Sequence, residues 1–251
     1  MKGALPLIFI LFLCVGFLAG EEINASPKSD IGKADKERVV LLTDPFLQHP
    51  TADGIYVVWF TEWQGRKHTV HYGKNLDLKV PASTTVLLRM AEDAGSHIGR
   101  NREINITDTS LTPRKIWRHE AYIHSLRQGE RVAYYVESID NGGTVVKSQT
   151  FSLQPSPEPG QPLKILLTSD HQSMPLTAAN LEMVEKTVGV LDGVFFAGDL
   201  VNTPDRASEW FDDERGSAFF PCLQGKGSIT LKHTFEKDRE NHHAQSVYRG
   251  G

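Results

Sequence analysis

The sequence predicts an antiparallel β-sandwich followed by a partial α/β domain, and three features of the chain indicate this order. Between residues 39 and 153, short runs of β-branched and aromatic residues alternate with turn residues. Four prolines then fall within residues 154–162, which is typical of a stiff linker between domains. After the linker, two short apolar runs flank a stretch of helical length, as in a strand–helix–strand unit.

The composition excludes several classes of partner. The chain has 251 residues and a formal net charge of −4, which favours neither nucleic acid nor an anionic membrane. Residues 1–20 contain Lys2 followed by an apolar run, which predicts a signal peptide and therefore a secreted or periplasmic protein. An uncleaved anchor is the alternative, because Leu18, three residues before the expected cut after Gly20, is not small. No membrane contact is expected beyond this segment, and the polar residues 21–37 are expected to form a flexible linker. The sequence indicates no oligomeric state.

Residues 38–155 contain about seven short predicted strands, the number typical of a fibronectin type III or immunoglobulin-like sandwich. The clearest strand is 55–60, in which alternate residues point to opposite faces and both faces are apolar. The segment 140–143 (Asp-Asn-Gly-Gly) predicts a hairpin turn between strands 131–139 and 144–153. The remaining strands are expected at 69–72, 84–90, 103–107 and 116–126. Residues 91–101 are expected to form a polar loop without identifiable chemistry.

Residues 162–251 are predicted to form the α/β domain. Its two apolar runs are followed by Asp170 and Asp199. Strands joined through a helix run parallel, so both aspartates are expected at one edge of the sheet, where α/β proteins bind ligands. Thr177 is the expected cap of the connecting helix. A second helix is expected after Thr203-Pro204, with Ala207, Trp210 and Phe211 on its apolar face and a solvated acidic face that includes Asp205 and Glu209. The tail 225–251 is expected to lack a third buried strand.

Two carboxylates at one edge repel each other unless a cation or a shared proton lies between them. Hard cations take oxygen ligands, and Gly198 would let a bridging carboxylate approach two ions closely. The alternative is that Asp170 starts a turn and Asp199 caps a helix, which are common roles for aspartate. A nucleophilic relay of consecutive residues 169–171 is excluded, because successive residues leaving a strand point apart.

The segments 169–172 (Ser-Asp-His-Gln) and 197–202 (Ala-Gly-Asp-Leu-Val-Asn) resemble the first two motifs of the calcineurin-like metallophosphoesterases. The segment 44–50 (Asp-Pro-Phe-Leu-Gln-His-Pro) and strand 55–59 resemble the opening of the sandwich of the purple acid phosphatases. This resemblance implies two divalent or trivalent metal ions (Fe, Mn or Zn), with Asp170 on one ion, Asp199 bridging both and Gln172 or His171 as a further ligand. Asn202 would orient one of these ligands without binding a metal ion itself.

The chain departs from the family pattern at two of these positions. Gln172 stands where the family often has histidine and the purple enzymes have glycine, so a nitrogen ligand is missing. Asn202 stands where the purple enzymes have a tyrosine, so a purple ferric site is not expected.

The resemblance implies an exported phosphomonoesterase or phosphodiesterase that acts on a phosphate-ester substrate through a metal-bound hydroxide. The later family motifs, which complete the ligand set and supply a general-acid histidine, are absent, so no catalytic residue is identified. The chain is therefore expected to be truncated and inactive as written. Residues 241–243 (Asn-His-His) imitate a ligand motif, but they follow a charged run rather than a buried strand.

Two alternatives remain open from the sequence. The chain could be a secreted β-sandwich binding protein with a degenerate, non-catalytic α/β appendage. Partner affinity would then reside in residues 38–155, and the protein would be stable without metal. The strand–helix–strand unit could also be purely structural, in which case replacing both aspartates with asparagine would change neither metal content nor stability.

Overall fold

A computed structural model describes residues 39–93, 95–96, 110–172, 174, 176–211, 218–225 and the backbone of 247–248. The chain divides into Met1–Arg38 and one compact unit, Val39–Gly251. The predicted signal peptide, the flexible linker 21–37, the strand 103–107 and the segment 241–243 lie outside the described residues. Of the helices in the described part of the chain, none has the length and apolar character needed to cross a membrane.

Short strands dominate the described residues. The strands are β1 (Phe46–Gln48), β2 (Ile55–Thr61), β3 (Lys67–Tyr72), β4 (Leu78–Pro81), β5 (Ser83–Leu87), β6 (Ala91–Glu92), β7 (Thr112–Pro113), β8 (Ile116–Ile123), β9 (Val132–Ile139), β10 (Val145–Lys147), β11 (Phe151–Leu153), β12 (Ile165–Thr168), β13 (Gly193–Phe196) and β14 (Val247–Tyr248). The helices are α1 (Thr177–Val188), α2 (Ala207–Phe211) and α3 (Phe219–Leu223).

Two antiparallel sheets form the sandwich that the sequence predicts. One sheet has the strand order β1-β2-β8-β5, and the other has the order β10-β9-β3-β4 with β11 also paired to β9. Strands β6 and β7 form a separate two-stranded sheet. A further sheet has three strands in the order β12-β13-β14, and both of its strand pairs are parallel.

The interior of the sandwich is an apolar core with a small polar centre. Its buried apolar residues are Leu47, Ile55, Val57, Trp59, Val70, Ala121, Ile123, Tyr134, Val136 and Leu153. Among them, the rings of His68 and His119 stack with centroids 3.6 Å apart. His119 is hydrogen-bonded to the hydroxyls of Thr61 and Thr84, and His68 to that of Ser138. Hydroxyl partners therefore satisfy these imidazoles where water is excluded.

Strand β2 is buried on both faces. Strands of antiparallel sheets commonly bury one face and expose the other to solvent, so this burial is unusual for a sandwich. Its outer residues Val58 and Phe60 belong to a second core that also contains Val201, Phe211 and Phe220. The ring of Phe60 lies 5.1 Å from that of Phe211 and 5.4 Å from that of Phe220. The segments on either side of the proline-rich linker therefore share one hydrophobic core. The division into domains at that linker stays a prediction.

The hairpin at 140–143 is confirmed. The Asp140 amide donates to the Thr144 carbonyl, and the Asp140 carboxylate accepts from the Thr144 amide at 2.6 Å. The prediction of one continuous strand 144–153 is wrong, because the structure divides it into β10 and β11. Ser148 lies between them, and its hydroxyl accepts the hydrogen bond of the Val136 amide in place of a backbone carbonyl.

A strand–helix–strand unit is present, with β12 and β13 parallel and α1 between them in the chain. The assignment of residues 162–251 to an α/β domain stays a prediction. The expectation that Thr177 caps α1 is wrong. Leu176 occupies the cap position, and the Thr177 hydroxyl donates instead to the carbonyl of His171. In the tail, Val247–Tyr248 forms a third strand, β14, parallel to β13. The burial of its side chains lies outside the described features, so the expectation that the tail lacks a third buried strand stays a prediction.

Candidate metal centre

The two sequence-predicted aspartates lie just beyond the carboxyl ends of neighbouring parallel strands. Thr168 of β12 is paired with Phe196 of β13, and the Ala197 amide donates to the Thr168 carbonyl at 2.8 Å. Asp170 follows Thr168 by two residues, and Asp199 follows Phe196 by three. Both side chains are exposed. The prediction that they emerge at the same sheet edge is confirmed.

Hydrogen bonds join the two turns that carry the aspartates. The Asp170 amide donates to the Gly198 carbonyl at 3.4 Å, and the Gln172 amide donates to the Asp199 carbonyl at 3.3 Å. The side-chain amide of Asn202 donates to the Gln172 carbonyl at 2.7 Å. The four residues singled out by sequence therefore belong to two turns that are fixed against each other.

Three of these residues have left-handed backbone conformations. The φ angle is 56° at Asp170, 35° at Gln172 and 52° at Asp199. Side chains other than glycine occupy this region at a cost of about 1–2 kcal/mol each, although aspartate tolerates it better than most. Strain of this kind tends to concentrate at binding and catalytic sites, where the surrounding structure must hold it in place.

Glycine at position 198 is favoured by the backbone conformation there and not by close packing against neighbouring atoms. Its φ angle is 131°, and a Cβ built at this position would meet no heavy atom within 4 Å. The expectation that this glycine lets a carboxylate approach two ions closely stays a prediction. Glycine is favoured here because L side chains rarely adopt this φ angle.

His171 lies between the two candidate ligands Asp170 and Gln172 in sequence, but it faces the interior. It is buried, and its ring lies 5.1 Å from that of Phe196 and 5.9 Å from that of Phe219. Burial lowers the pKa of His171, which keeps the imidazole neutral. Its carbonyl accepts from the amide of Met174. These contacts make His171 an anchor of the turn within the core.

Glu209 is a site residue that sequence reasoning missed. The acidic side of α2 was expected to be solvated, but the Glu209 side chain is only 11% exposed. One of its oxygens accepts from the backbone amides of Asn202 and Thr203 at 2.7 and 2.9 Å. Asp205 is also paired, with Arg89 at 2.7 Å. The three-residue spacing of Arg206 and Glu209 was the one sequence signal of an ion pair here.

The two turns carry oxygen donors of the kind that hard cations bind, but the described residues do not form a complete metal site. Carboxylate and amide oxygens are what such cations prefer, and Asp170, Asp199 and Gln172 supply them at one edge. In the described part of the chain, however, no three His, Cys, Asp or Glu side chains lie close enough together to hold an ion. The donor set for two metal ions is therefore not complete among these residues.

The fold is thus an antiparallel sandwich joined to a parallel strand–helix–strand unit that carries Asp170 and Asp199 just beyond the carboxyl ends of its strands. A purple acid phosphatase isolated from seeds of yellow lupin (Lupinus luteus) has a similar structure, with a TM-score of 0.52 at 17% identity over 82% of this chain. This chain spans 34% of the length of that phosphatase. At this level of identity the similarity shows the fold alone.

The other comparisons add no argument. A cycloalternan-degrading enzyme from Trueperella pyogenes matches 47% of this chain and 16% of its own length, at 19% identity and a TM-score of 0.29. An archaellum stator complex from Sulfolobus acidocaldarius matches 50% of this chain and all of its own, at 15% identity and a TM-score of 0.24. Neither a protein-family model nor a curated protein sequence matches the chain.

Proposed function

We propose that this chain belongs to an exported, metal-dependent phosphoesterase related to the purple acid phosphatases, with Asp170 and Asp199 as cation ligands. The observation that carries the proposal is the placement of Asp170 and Asp199 on adjacent turns. Each of these residues has a positive φ angle, and backbone hydrogen bonds join the two turns. Two exposed turns with no ligand to position would have little reason to retain strain at both aspartates.

The proposed ligands are oxygen donors, which suits Mn²⁺, Fe or Zn²⁺ bound with water in the remaining positions. Gln172 would add an amide oxygen, and Asn202 would hold the Gln172 turn through its side-chain hydrogen bond. A second metal ion requires donors beyond the described residues. When bound, the metal supplies positive charge that polarises a phosphate ester.

The substrate class follows from this charge. We propose a phosphate ester as the partner of the site, no nucleic-acid partner, and no membrane contact beyond the leader segment. Export is proposed from the apolar leader of residues 1–20. Phosphomonoesters and phosphodiesters are both compatible with an exposed sheet edge.

Metal binding by the full chain tests the proposal. Mn²⁺ affinity is measured by isothermal titration for the wild type and for the variants Asp170→Asn and Asp199→Asn. We expect each variant to weaken binding at least tenfold, because an amide lacks the negative charge that attracts the cation. Asp192→Asn is the matched control, since Asp192 is an exposed aspartate just before β13, at the opposite end of the strand. Its replacement should leave the affinity unchanged.

Hydrolysis of p-nitrophenyl phosphate, with Mn²⁺, Fe²⁺ or Zn²⁺ added, gives the second readout. Activity that requires both Asp170 and Asp199 would support the phosphoesterase assignment. A wild-type chain that binds no cation, or variants that bind as tightly as the wild type, would refute it. Those results would favour the structural interpretation, in which the aspartates serve only as turn residues.

A further inference from the structure

A chain of hydrogen bonds leads from the β6–β7 sheet, which lies within the predicted sandwich segment 38–155, to the turn that follows Asp199. The guanidinium of Arg206 donates to the carboxylate of Asp93 at 2.8 Å and to that of Glu209 at 2.6 Å. Asp93 directly follows strand β6. Arg206 immediately precedes α2, and Glu209 lies within it. A planar guanidinium has donors for both carboxylates at once, which makes arginine suited to this bridging position.

Glu209 links Arg206 to the backbone of the candidate site through hydrogen bonds. One of its oxygens accepts from Arg206, and the other accepts from the amides of Asn202 and Thr203. These amides lie three and four residues after Asp199. Asn202 then reaches across to the Gln172 carbonyl. One carboxylate therefore holds the segment between Asp199 and α2 in place.

The sandwich end of this chain is itself fixed. The carboxylate of Asp93 accepts from the amide of Gly95 at 2.8 Å, and the Ala91 amide donates to the carbonyl of Asp205 at 2.9 Å. The hydrogen bond from Arg206 lowers the pKa of Asp93, so its carboxyl group is ionised near neutral pH. Hydrogen bonds between ionised partners are stronger than neutral ones.

A neighbouring ion pair provides a contrast. Arg89 and Asp205 join the same two parts of the protein, but their side chains are 81% and 44% exposed. Arg206, Asp93 and Glu209 are 21%, 27% and 11% exposed. The Asp205 carboxylate makes no described hydrogen bond to the 199–203 backbone. The two ion pairs therefore differ in burial and in their connection to the candidate site.

We propose that Asp93, Arg206 and Glu209 are positioning residues for the cation site, so that the loop after β6 sets the geometry of Asp199 and Asn202. This inference rests on the proposed function, because it assigns these residues to the same site. The sandwich segment 38–155 then contributes to the site through Asp93. Groups that orient metal ligands typically change metal affinity by about 10–100-fold when they are removed.

Mn²⁺ titration of the full chain tests the inference with matched variants. Asp93→Asn removes the charge at the sandwich end, and Glu209→Ala removes the acceptor of the two amides. We expect Glu209→Ala to weaken Mn²⁺ binding about tenfold or more. Asp93→Asn, which acts through Arg206, should weaken it by a smaller factor of about three to ten. Glu209→Gln keeps an oxygen acceptor for the amides and should lose less affinity than Glu209→Ala. Asp205→Asn, the control for an exposed ion pair between the same parts, should bind as the wild type does.

Urea unfolding of each variant separates positioning from stability. The inference is supported if affinity falls in Asp93→Asn and Glu209→Ala while both remain folded at the titration temperature. Wild-type affinity in folded Asp93→Asn and Glu209→Ala would overturn the inference and leave the proposed function intact. A wild-type chain that binds no Mn²⁺ would overturn the proposed function and this inference with it.

Discussion

Replacing Gln172 with glycine should stabilise the protein, contrary to the usual effect of glycine. Gln172 has a φ angle of 35°, in the region that L side chains rarely adopt. Its amide donates to the Asp199 carbonyl, and its carbonyl accepts from Asn202. Both are backbone groups, so Gln172→Gly retains these two bonds while removing the side chain that opposes this φ.

The expected gain is small but measurable. Relief of the left-handed conformation is worth about 1–2 kcal/mol, and the added freedom of glycine in the unfolded chain costs about 0.5–1 kcal/mol. We therefore expect a net increase of about 0.5–1 kcal/mol in the free energy of unfolding, measured by urea titration. Gln161→Gly is the matched control, because Gln161 is an exposed glutamine in a loop and has no positive φ. The same change there should destabilise the protein by about 0.5–1 kcal/mol.

A Gln172→Gly variant that is destabilised as much as Gln161→Gly would refute the reasoning, because it would mean that the backbone at Gln172 is not strained. The same variant also tests the proposed ligand role. If the Gln172 amide oxygen binds the cation, Mn²⁺ affinity should fall even though stability rises. Unchanged affinity would remove Gln172 from the ligand set and leave Asp170 and Asp199.

Two further predictions concern the cores. Phe220 packs 5.2 Å from Phe46 and 5.4 Å from Phe211, so Phe220→Ala should cost about 3–5 kcal/mol while unfolding stays a single calorimetric transition. Two separate transitions would show that the shared core does not couple the two parts. Burial lowers the pKa of His119 from 6.5 to about 3, so the stability due to its neutral form is present above pH 6.5 and is lost as pH falls towards 3. Below pH 6.5 the wild type should lose about 1.4 kcal/mol per pH unit more than His119→Gln in denaturant titrations, whereas the exposed His124→Gln should behave as the wild type. Equal pH dependence in His119→Gln would contradict this prediction.

The shared core changes how the sandwich is understood. A strand with apolar residues on both faces needs a partner on each side, and β2 finds the second sandwich sheet on one side and α2 and α3 on the other. Removing the segment after the linker would expose Val58 and Phe60 to water. Experiments on the sandwich alone would therefore examine a surface that is covered in the whole chain.

Local patterns in the sequence were enough to predict much of this protein. The alternation in β2, the Asp-Asn-Gly-Gly hairpin and the parallel strand–helix–strand unit are all encoded over a few tens of residues. The position of Asp170 and Asp199 at one edge followed because strands joined through a helix run parallel. Their role as ligands stays a prediction that metal binding must test.

Only the tertiary structure revealed what these elements contact. The partner of the outer face of β2 lies beyond the linker, and Asp93 meets Arg206 from the other side of the same linker. The spacing of Arg206 and Glu209 indicates an ion pair but not the backbone amides that Glu209 binds, and the sequence does not specify the positive φ angles of Asp170, Gln172 and Asp199. These features arise from packing between segments distant in the chain. Periodicity reports which face of an element is apolar, but not what covers it.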